Sequence, residues 1–270
     1  MDVLVIVLVT FLWASVLLIA SVVKIHPVFF VFLRLLFSLI VVLPLGLRVK
    51  EKRLSFGAMV SGAFLSLNWI FLFMAVRIIG PSSADFIYYT APVISLVLGK
   101  IFGEPIPVLS WMSVFVSFTG VGLIYKFSRV DLVGTFYAFL GALFYGSVVV
   151  LGKRISKKMD PYLFTMEQMI SALIITFFFS LPYIEPLSLK DTLLSLTAGV
   201  MNTGVALILW WKTLKRVNLR LASVLTYLDP FFALLLSVLV LGQKLTTWNL
   251  LGAILITIGG AMGILQERGR

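Results

Sequence analysis

The chain contains no cysteine, which removes disulfides, thiolate metal sites and a cysteine nucleophile from consideration. Charge is scarce as well: Asp, Glu, Lys and Arg make up 12% of 270 residues, against roughly 25% in soluble domains. Acidic residues are scarcer still, 11 against 22 basic ones. No Walker-type phosphate loop occurs, so ATP hydrolysis on this chain is excluded. The single histidine, His26, has no Gly-x-Ser-x-Gly elbow, metal-ligand cluster or paired-aspartate motif around it. That argues against an intramembrane enzyme.

What the chain does have is apolar sequence, 61% of it, with a mean hydropathy of +1.12. No soluble fold could hide so much apolar surface, and the chain reads as an all-α integral membrane protein. A spanning helix needs about 20 apolar residues, and ten candidate runs occur. They are 3–23, 28–47, 55–76, 81–102, 107–125, 132–152, 161–182, 192–211, 219–241 and 246–265. The first follows Met1-Asp2 without a basic leader or a small-residue cleavage site, so it reads as a retained helix. A net charge of +11 suggests nucleic acid at first sight. The basic residues instead form short clusters between apolar runs, where they report orientation in the bilayer.

With the N-terminus inside, fifteen Lys and Arg fall on the cytoplasmic side and six on the other, with Arg34 left inside a span. Both termini are therefore expected to be cytoplasmic. Five helices per half is an odd number, so homologous halves would sit upside down relative to each other. The loop charges agree. The second loop of the first half carries Arg48, Lys50, Lys52 and Arg53, whereas its counterpart carries Lys190 alone. This predicts two inverted five-helix repeats, 1–126 and 127–270.

Internal likeness supports the duplication. Ala84-Asp85-Phe86-Ile87-Tyr88-Tyr89-Thr90-Ala91-Pro92 leads to Gly103-Glu104, and Ala222-Ser223-Val224-Leu225-Thr226-Tyr227-Leu228-Asp229-Pro230 leads to Gly242-Gln243. The two prolines stand 138 positions apart. Trp13-Ala14-Ser15 parallels Tyr145-Gly146-Ser147, and Pro27 with Arg34 parallels Pro161 with Gln168. In order, spacing and duplication these motifs resemble the drug/metabolite transporter superfamily, specifically its ten-helix EamA type with two EamA repeats. The resemblance covers essentially the whole chain. It implies a secondary carrier in the cell (plasma) membrane with a central cavity lined by helices 1–4 and 6–9, helices 5 and 10 being peripheral. The usual second acidic residue is Gln243 here.

Candidate site residues follow from the intramembrane polar groups. Asp85, Tyr88, Tyr89, Pro92, Ser95 and Gly99 share an arc of about 120° on the fourth helix. Ser223, Thr226, Tyr227, Pro230, Ala233 and Ser237 do the same on the ninth. Each proline removes an N–H, leaving the carbonyls of Tyr88 and Thr226 to face protein or water. Pro92 and Pro230 are candidate hinges, and Trp13, Tyr88, Tyr89, Thr226 and Tyr227 candidate substrate contacts. Asn68 and Asn202 read either as interhelical glue or as cavity lining. Charge within a span is a functional hypothesis by default. Arg34 and Asp85 are the expected ion pair, as a structural clamp or a substrate contact. Asp229 lies about 90° from the centre of the Tyr227 face by helical phase, and reads as a proton carrier or an interhelical hydrogen bond. Glu167 lies nearer the membrane edge. Small residues Ser113, Ser117, Gly259 and Gly263 mark close packing.

The expected function is export of a small metabolite, amino acid-like or amphipathic, by alternating access. The alternatives are a lipid flippase or a structural membrane protein. No cofactor, metal or nucleic acid is expected. The partners are a small-molecule substrate, the bilayer and a coupling ion such as H+, in a monomer or homodimer.

Overall fold

A computed structural model describes residues 1–50, 54–125, 131–242 and 244–268. Lys52, Arg53, Lys126, Arg129, Gln243 and Arg270 therefore lie outside the described residues. The described chain is all-helical. Nine helices in it are long and apolar enough to cross a membrane, and one shorter apolar helix, Val108–Ile124, completes ten. At 1.5 Å per residue the short one spans about 26 Å, slightly less than the hydrocarbon core.

Helix ends follow local chemistry. α1 is Asp2–Val22 and α2 is Pro27–Leu47, with Pro27 at the first turn, where its missing N–H costs nothing. Ser55 caps α3 (Phe56–Ile79) by accepting from Ala58 N. Asp131 caps α7 (Leu132–Ser156), and Asp160 caps α8 (Pro161–Ser180) just before its proline. Ser188 caps α9 (Leu189–Thr197), which runs through a π-helical segment, Ala198–Val205, into α10 (Ala206–Leu214). The peripheral helices are α6 (Val108–Ile124) and α13 (Thr247–Arg268).

The fourth and ninth spans are both interrupted. α4 (Pro81–Tyr88) stops before α5 (Ala91–Ile101), and α11 (Leu219–Leu225) stops before α12 (Leu228–Leu241). The breaks fall just ahead of Pro92 and Pro230, as a missing donor and a bulky ring require. One detail differs from the expectation. The Thr226 carbonyl is not left for the cavity, because Asp229 N closes a tight turn onto it at 3.1 Å. The duplicated glycines also acquire a reason. Gly103 and Gly242 both adopt positive φ, 86° and 66°, as left-handed ends of α5 and α12. At Gly103 the ending is a Schellman motif, with Glu104 N bonding Gly99 O at 2.9 Å and Gly103 N bonding Lys100 O at 3.0 Å.

Packing between the halves is reciprocal. α7 packs on α3, α4 and α5, while α1 packs on the π segment, α10, α11 and α12. α2 pairs with α8 and α6 with α13. The last pair meets through small residues. A side chain on Gly120 would strike the Gly252 carbonyl, one on Gly252 would strike that of Gly120, and one on Gly259 would strike Ser117. The small-residue stripes thus serve intrachain packing.

Contacts define two ends of the bundle. One gathers Asp2 with Arg216, Glu104 with Lys157, and Ser110 with Gln266, so both chain termini lie there. The other gathers His26, Arg77, Tyr183 and Glu185. The first end is sealed. Gly99 lies against Leu219, Gly152 against the Trp211 ring, and Ser95 bonds Ser223 at 2.6 Å. Lys153, only 4% exposed, donates to the carbonyls of Leu214 and Val217 at the end of α10.

Candidate functional site

Between the sealed end and the His26 end lies a central chamber walled by both halves. Its volume is about 120 Å³. Roughly 10–15 Å³ of such space holds one water, so several waters or a small solute fit. α1 contributes Trp13 and Val16, α2 Arg34, and α3 Leu65, Trp69, Leu72 and Phe73. The broken fourth span contributes Asp85, Tyr88, Tyr89, Ala91 and Pro92, and the broken ninth Thr226 and Asp229. α7 adds Tyr145 and Val148; α10 adds Leu207, Trp210 and Trp211.

The walls are aromatic and interlocked. Trp13 meets Tyr145 at 6.5 Å and Trp210 at 5.1 Å between ring centroids. Tyr88 stacks on Tyr145 at 5.6 Å, and Tyr89 on Tyr125 at 5.9 Å. Rings held this way, two pairs stacked and Trp13 edge-on to Tyr145, brace one another and fix the shape of the wall.

Arg34 is 5% exposed. Its guanidinium sits 4.6 Å from the Trp69 ring centroid, and Nε and Nη2 donate to Thr203 Oγ1 at 3.3 and 3.2 Å. Thr203 in turn donates to Ala198 O, five residues back along the π segment. The expected ion pair with Asp85 is absent. The ion pairs among the described residues are Lys157 with Glu104 and Arg216 with Asp2. The guanidinium is instead drawn to the hydroxyl and ring beside it.

Asp85 (8% exposed) and Asp229 both line the chamber. Asp229 Oδ1 is buried without a hydrogen-bond partner. This also corrects the helical-phase reading of Asp229. The break at Thr226–Tyr227 resets the rotation, so Asp229 enters the wall and Tyr227 leaves it. Tyr227 is fully buried against Phe118, 6.4 Å away, and is absent from the chamber. Pro230 likewise lies outside the lining, unlike Pro92.

The profile of the EamA-like transporter family matches residues 1–126 and again 132–265. The chain belongs to the EamA-like transporter family. It is 30% identical over 217 residues to the uncharacterized transporter YxxF of Bacillus subtilis (strain 168), covering 77% of this chain and 70% of that protein. It is 25% identical over 232 residues to an uncharacterized transporter of Archaeoglobus fulgidus, covering 84% and 83%. A protein of known crystal structure superposes with a TM-score of 0.88 at 20% identity, over 99% of this chain and 98% of that one. At that identity the likeness concerns the fold alone.

In this EamA-like transporter the remaining sequence candidates stand behind the wall. Asn68 donates to Gly141 O at 2.8 Å and to the Tyr88 hydroxyl at 3.1 Å. Asn202 donates to Leu12 O and, at 2.6 Å, to Ser15 Oγ. Neither lines the chamber; each ties the third helix of one half to the first helix of the other. Glu167, only 4% exposed, accepts from Ser55 N at 2.8 Å and so secures the start of α3. It too is remote from the chamber lining.

A second reciprocity was hidden in the Pro27…Arg34 and Pro161…Gln168 parallel. Gln168 donates to Ser61 Oγ at 2.7 Å and accepts from Trp211 Nε1 at 2.8 Å. Arg34 and Gln168 each reach a hydroxyl on the other half's third helix and a chamber tryptophan on their own. Trp210 and Trp211 were not candidates, because tryptophan near a span end usually forms an interfacial belt. At 1% and 0% exposure they are core. Trp69, next to Asn68, and Tyr145, the counterpart of Trp13, carried signals that could have been read.

Proposed function

We propose that this protein is a secondary active transporter that exports a small amino acid-like or amphipathic metabolite by alternating access at the central chamber. One observation carries the reading: both proline-broken spans and the first helices of both halves converge on one polar, aromatic chamber. Binding sites at the interface of repeats, built on discontinuous helices, are the pattern of such carriers. The reciprocal packing, and termini at a shared end, support two inverted repeats, 1–126 and 127–270. The excess of basic residues supports a cytoplasmic position for that end, N-in and C-in, in a plasma-membrane protein.

Trp13, Tyr88, Tyr89 and Thr226 act in this scheme as direct substrate contacts, and Asn68 and Asn202 hold the first-helix/third-helix joints that frame them. The breaks at Pro92 and Pro230 are the hinges. Asp85 and Asp229 share a chamber in which Arg34 is already engaged elsewhere. Buried carboxylates need compensating charge, which a substrate amine, a proton or another coupling cation supplies. In this scheme Glu167 secures the start of α3 through the Ser55 N–H, while its Oε1 is buried without a partner.

Purified protein screened against a metabolite panel for thermal stabilisation gives candidate solutes, whose flux is then measured in proteoliposomes with and without a pH gradient. Accumulation of a soluble metabolite supports transport. Scrambling of labelled lipid with no solute flux replaces the reading with that of a flippase.

A further inference from the structure

A second cavity of about 430 Å³ opens at the His26 end. α3 supplies Ile70, Phe73, Met74, Arg77 and Ile78 to it, and His26, Phe178, Phe179 and Tyr183 supply the rim. Phe178 and Phe179 are 64% and 47% exposed, so this rim faces outward from the bundle at the level of the membrane. Phe73 is the residue that lines both this cavity and the central chamber.

The shared helix orders the route. Arg77, Phe73 and Trp69 are four residues apart and lie on one face of α3, each step about 6 Å. Arg77 stands at the outer end, and Trp69, carrying Arg34, stands inside. The guanidiniums along this route are Arg77 of α3 and Arg34 of α2 over Trp69, Glu185 accepts from His26 N at the same end, and the carboxyls of Asp85 and Asp229 lie in the chamber beyond. At the rim Arg77 contacts His26 Nε2, and His26 stacks on Tyr183 with ring centroids 3.7 Å apart.

We propose that the outer cavity is an access vestibule for an amphipathic solute with a carboxylate or similar anionic head. Arg77 receives the head, the Phe178–Phe179 edge receives the apolar body, and Phe73 is the partition to the central chamber. The inference rests on the transporter reading for what happens beyond Phe73, but the vestibule itself is testable without flux.

The absence of cysteine makes single-cysteine chemistry clean. Met74→Cys reports the vestibule and Val148→Cys the chamber, both in proteoliposomes. With each rate divided by that reagent's rate on a free thiol, a negatively charged methanethiosulfonate should modify the Met74→Cys protein about tenfold faster than a positively charged one. Adding Arg77→Gln should abolish the preference, and Arg77→Lys should restore it. Phenylpropionate should protect the site and phenethylamine should not. Phe73→Ala should speed modification of Val148→Cys at least fivefold, while Phe73→Leu changes it less.

Equal normalised rates for both reagents, or a preference unmoved by Arg77→Gln, overturn the anionic vestibule. A Val148→Cys rate indifferent to Phe73 overturns the partition. If phosphatidylglycerol vesicles protect Met74→Cys without any solute, and phosphatidylcholine vesicles do not, the occupant is a lipid headgroup and the solute vestibule is wrong. Failure of flux with these labelling results intact would overturn the transport reading alone.

Discussion

Asn68 and Asn202 do the same mechanical task in the two halves, but only Asn68 also holds a chamber residue. Replacing each by leucine separates the two effects. Asn68→Leu removes two interactions, with Gly141 O and with the Tyr88 hydroxyl. Asn202→Leu also removes two, with Leu12 O and Ser15 Oγ. Interhelical hydrogen bonds within bilayers average about 0.6 kcal/mol and reach about 1.7, so each variant should lose about 1–3 kcal/mol. Neither leaves a costly orphan. The Gly141 and Leu12 carbonyls lie within helices, Ser15 still bonds Leu12 O at 2.8 Å, and the freed Tyr88 hydroxyl faces the chamber. Thermal unfolding in detergent should therefore fall by similar amounts, about 2–4 °C per kcal/mol for chains of this size. Substrate affinity should diverge. Asn68→Leu lets Tyr88 turn away and should raise KM by about fivefold, equivalent to ~1 kcal/mol. Asn202→Leu should leave KM within twofold. Equal KM shifts, or a large one for Asn202→Leu alone, would refute the assignment of Tyr88 as a contact held by Asn68.

Three further outcomes are expected. Asp229→Asn should abolish the response of flux to a pH gradient while leaving substrate-exchange flux measurable; full gradient-driven flux would end the coupling role. Gly103→Ala and Gly242→Ala should each cost about 1–2 kcal/mol of stability because their backbones are left-handed, although a side chain meets nothing within 4 Å at either site; urea or thermal titration measures this, and Gly103→Asn should recover part of it. His26 is held below the ordinary imidazole value by burial first and then by Arg77, with Glu185 opposing. A lowered value means that the His26–Arg77 contact is fully present above about pH 6.5 and is lost as pH falls through the lowered value. Corrected for the intrinsic exchange rate, amide protection at the start of α2 should fall as pH drops below the ordinary imidazole value, and the His26→Gln variant should lose that dependence.

How much of this was legible beforehand depended on whether a signal was local. Span positions rested on hydropathy and on Pro and Ser/Asp caps, which act within a few residues, and the helices fall close to the expected ranges. The break in each proline helix was legible for the same reason. Side-chain directions beyond a break were not. A count of 100° per residue puts Tyr227 toward the substrate and Asp229 away, and the turn closed by Asp229 N onto Thr226 reverses that. The Arg34–Asp85 pair failed for a different reason. Its competitor, Thr203, sits on a π-helical segment whose register no apolar periodicity reveals. Trp210 and Trp211 stand near a span end, where tryptophan usually forms an interfacial belt, yet Gly152 leaves room for the Trp211 ring to bury against α7, and Gln168 satisfies its indole N–H.

The duplication is sharper in the supports than in the chamber they hold. Asn68 and Asn202 make matching joints, and Arg34 and Gln168 make matching braces, each between a hydroxyl and a tryptophan. The chamber groups do not match. One brace is cationic and the other neutral, and Asp85 and Asp229 occupy different positions in the two motifs, opposite Ser223 and Ala91 respectively. In the proposed alternating-access scheme, a symmetric frame lets both orientations of the carrier have similar energy. Asymmetric charge inside that frame gives a bound solute a head and a tail. With Arg34 at the α2–α3 wall and the two carboxyls across the chamber on the broken spans, an amphipathic solute has one preferred way to lie. Exchanging the braces, Arg34→Gln with Gln168→Arg, moves the cation without changing the number of charges. If the frame sets conformational balance and the charges set solute orientation, the exchange should preserve folding and alter substrate preference. Loss of folding would instead show that each brace is fitted to its own tryptophan.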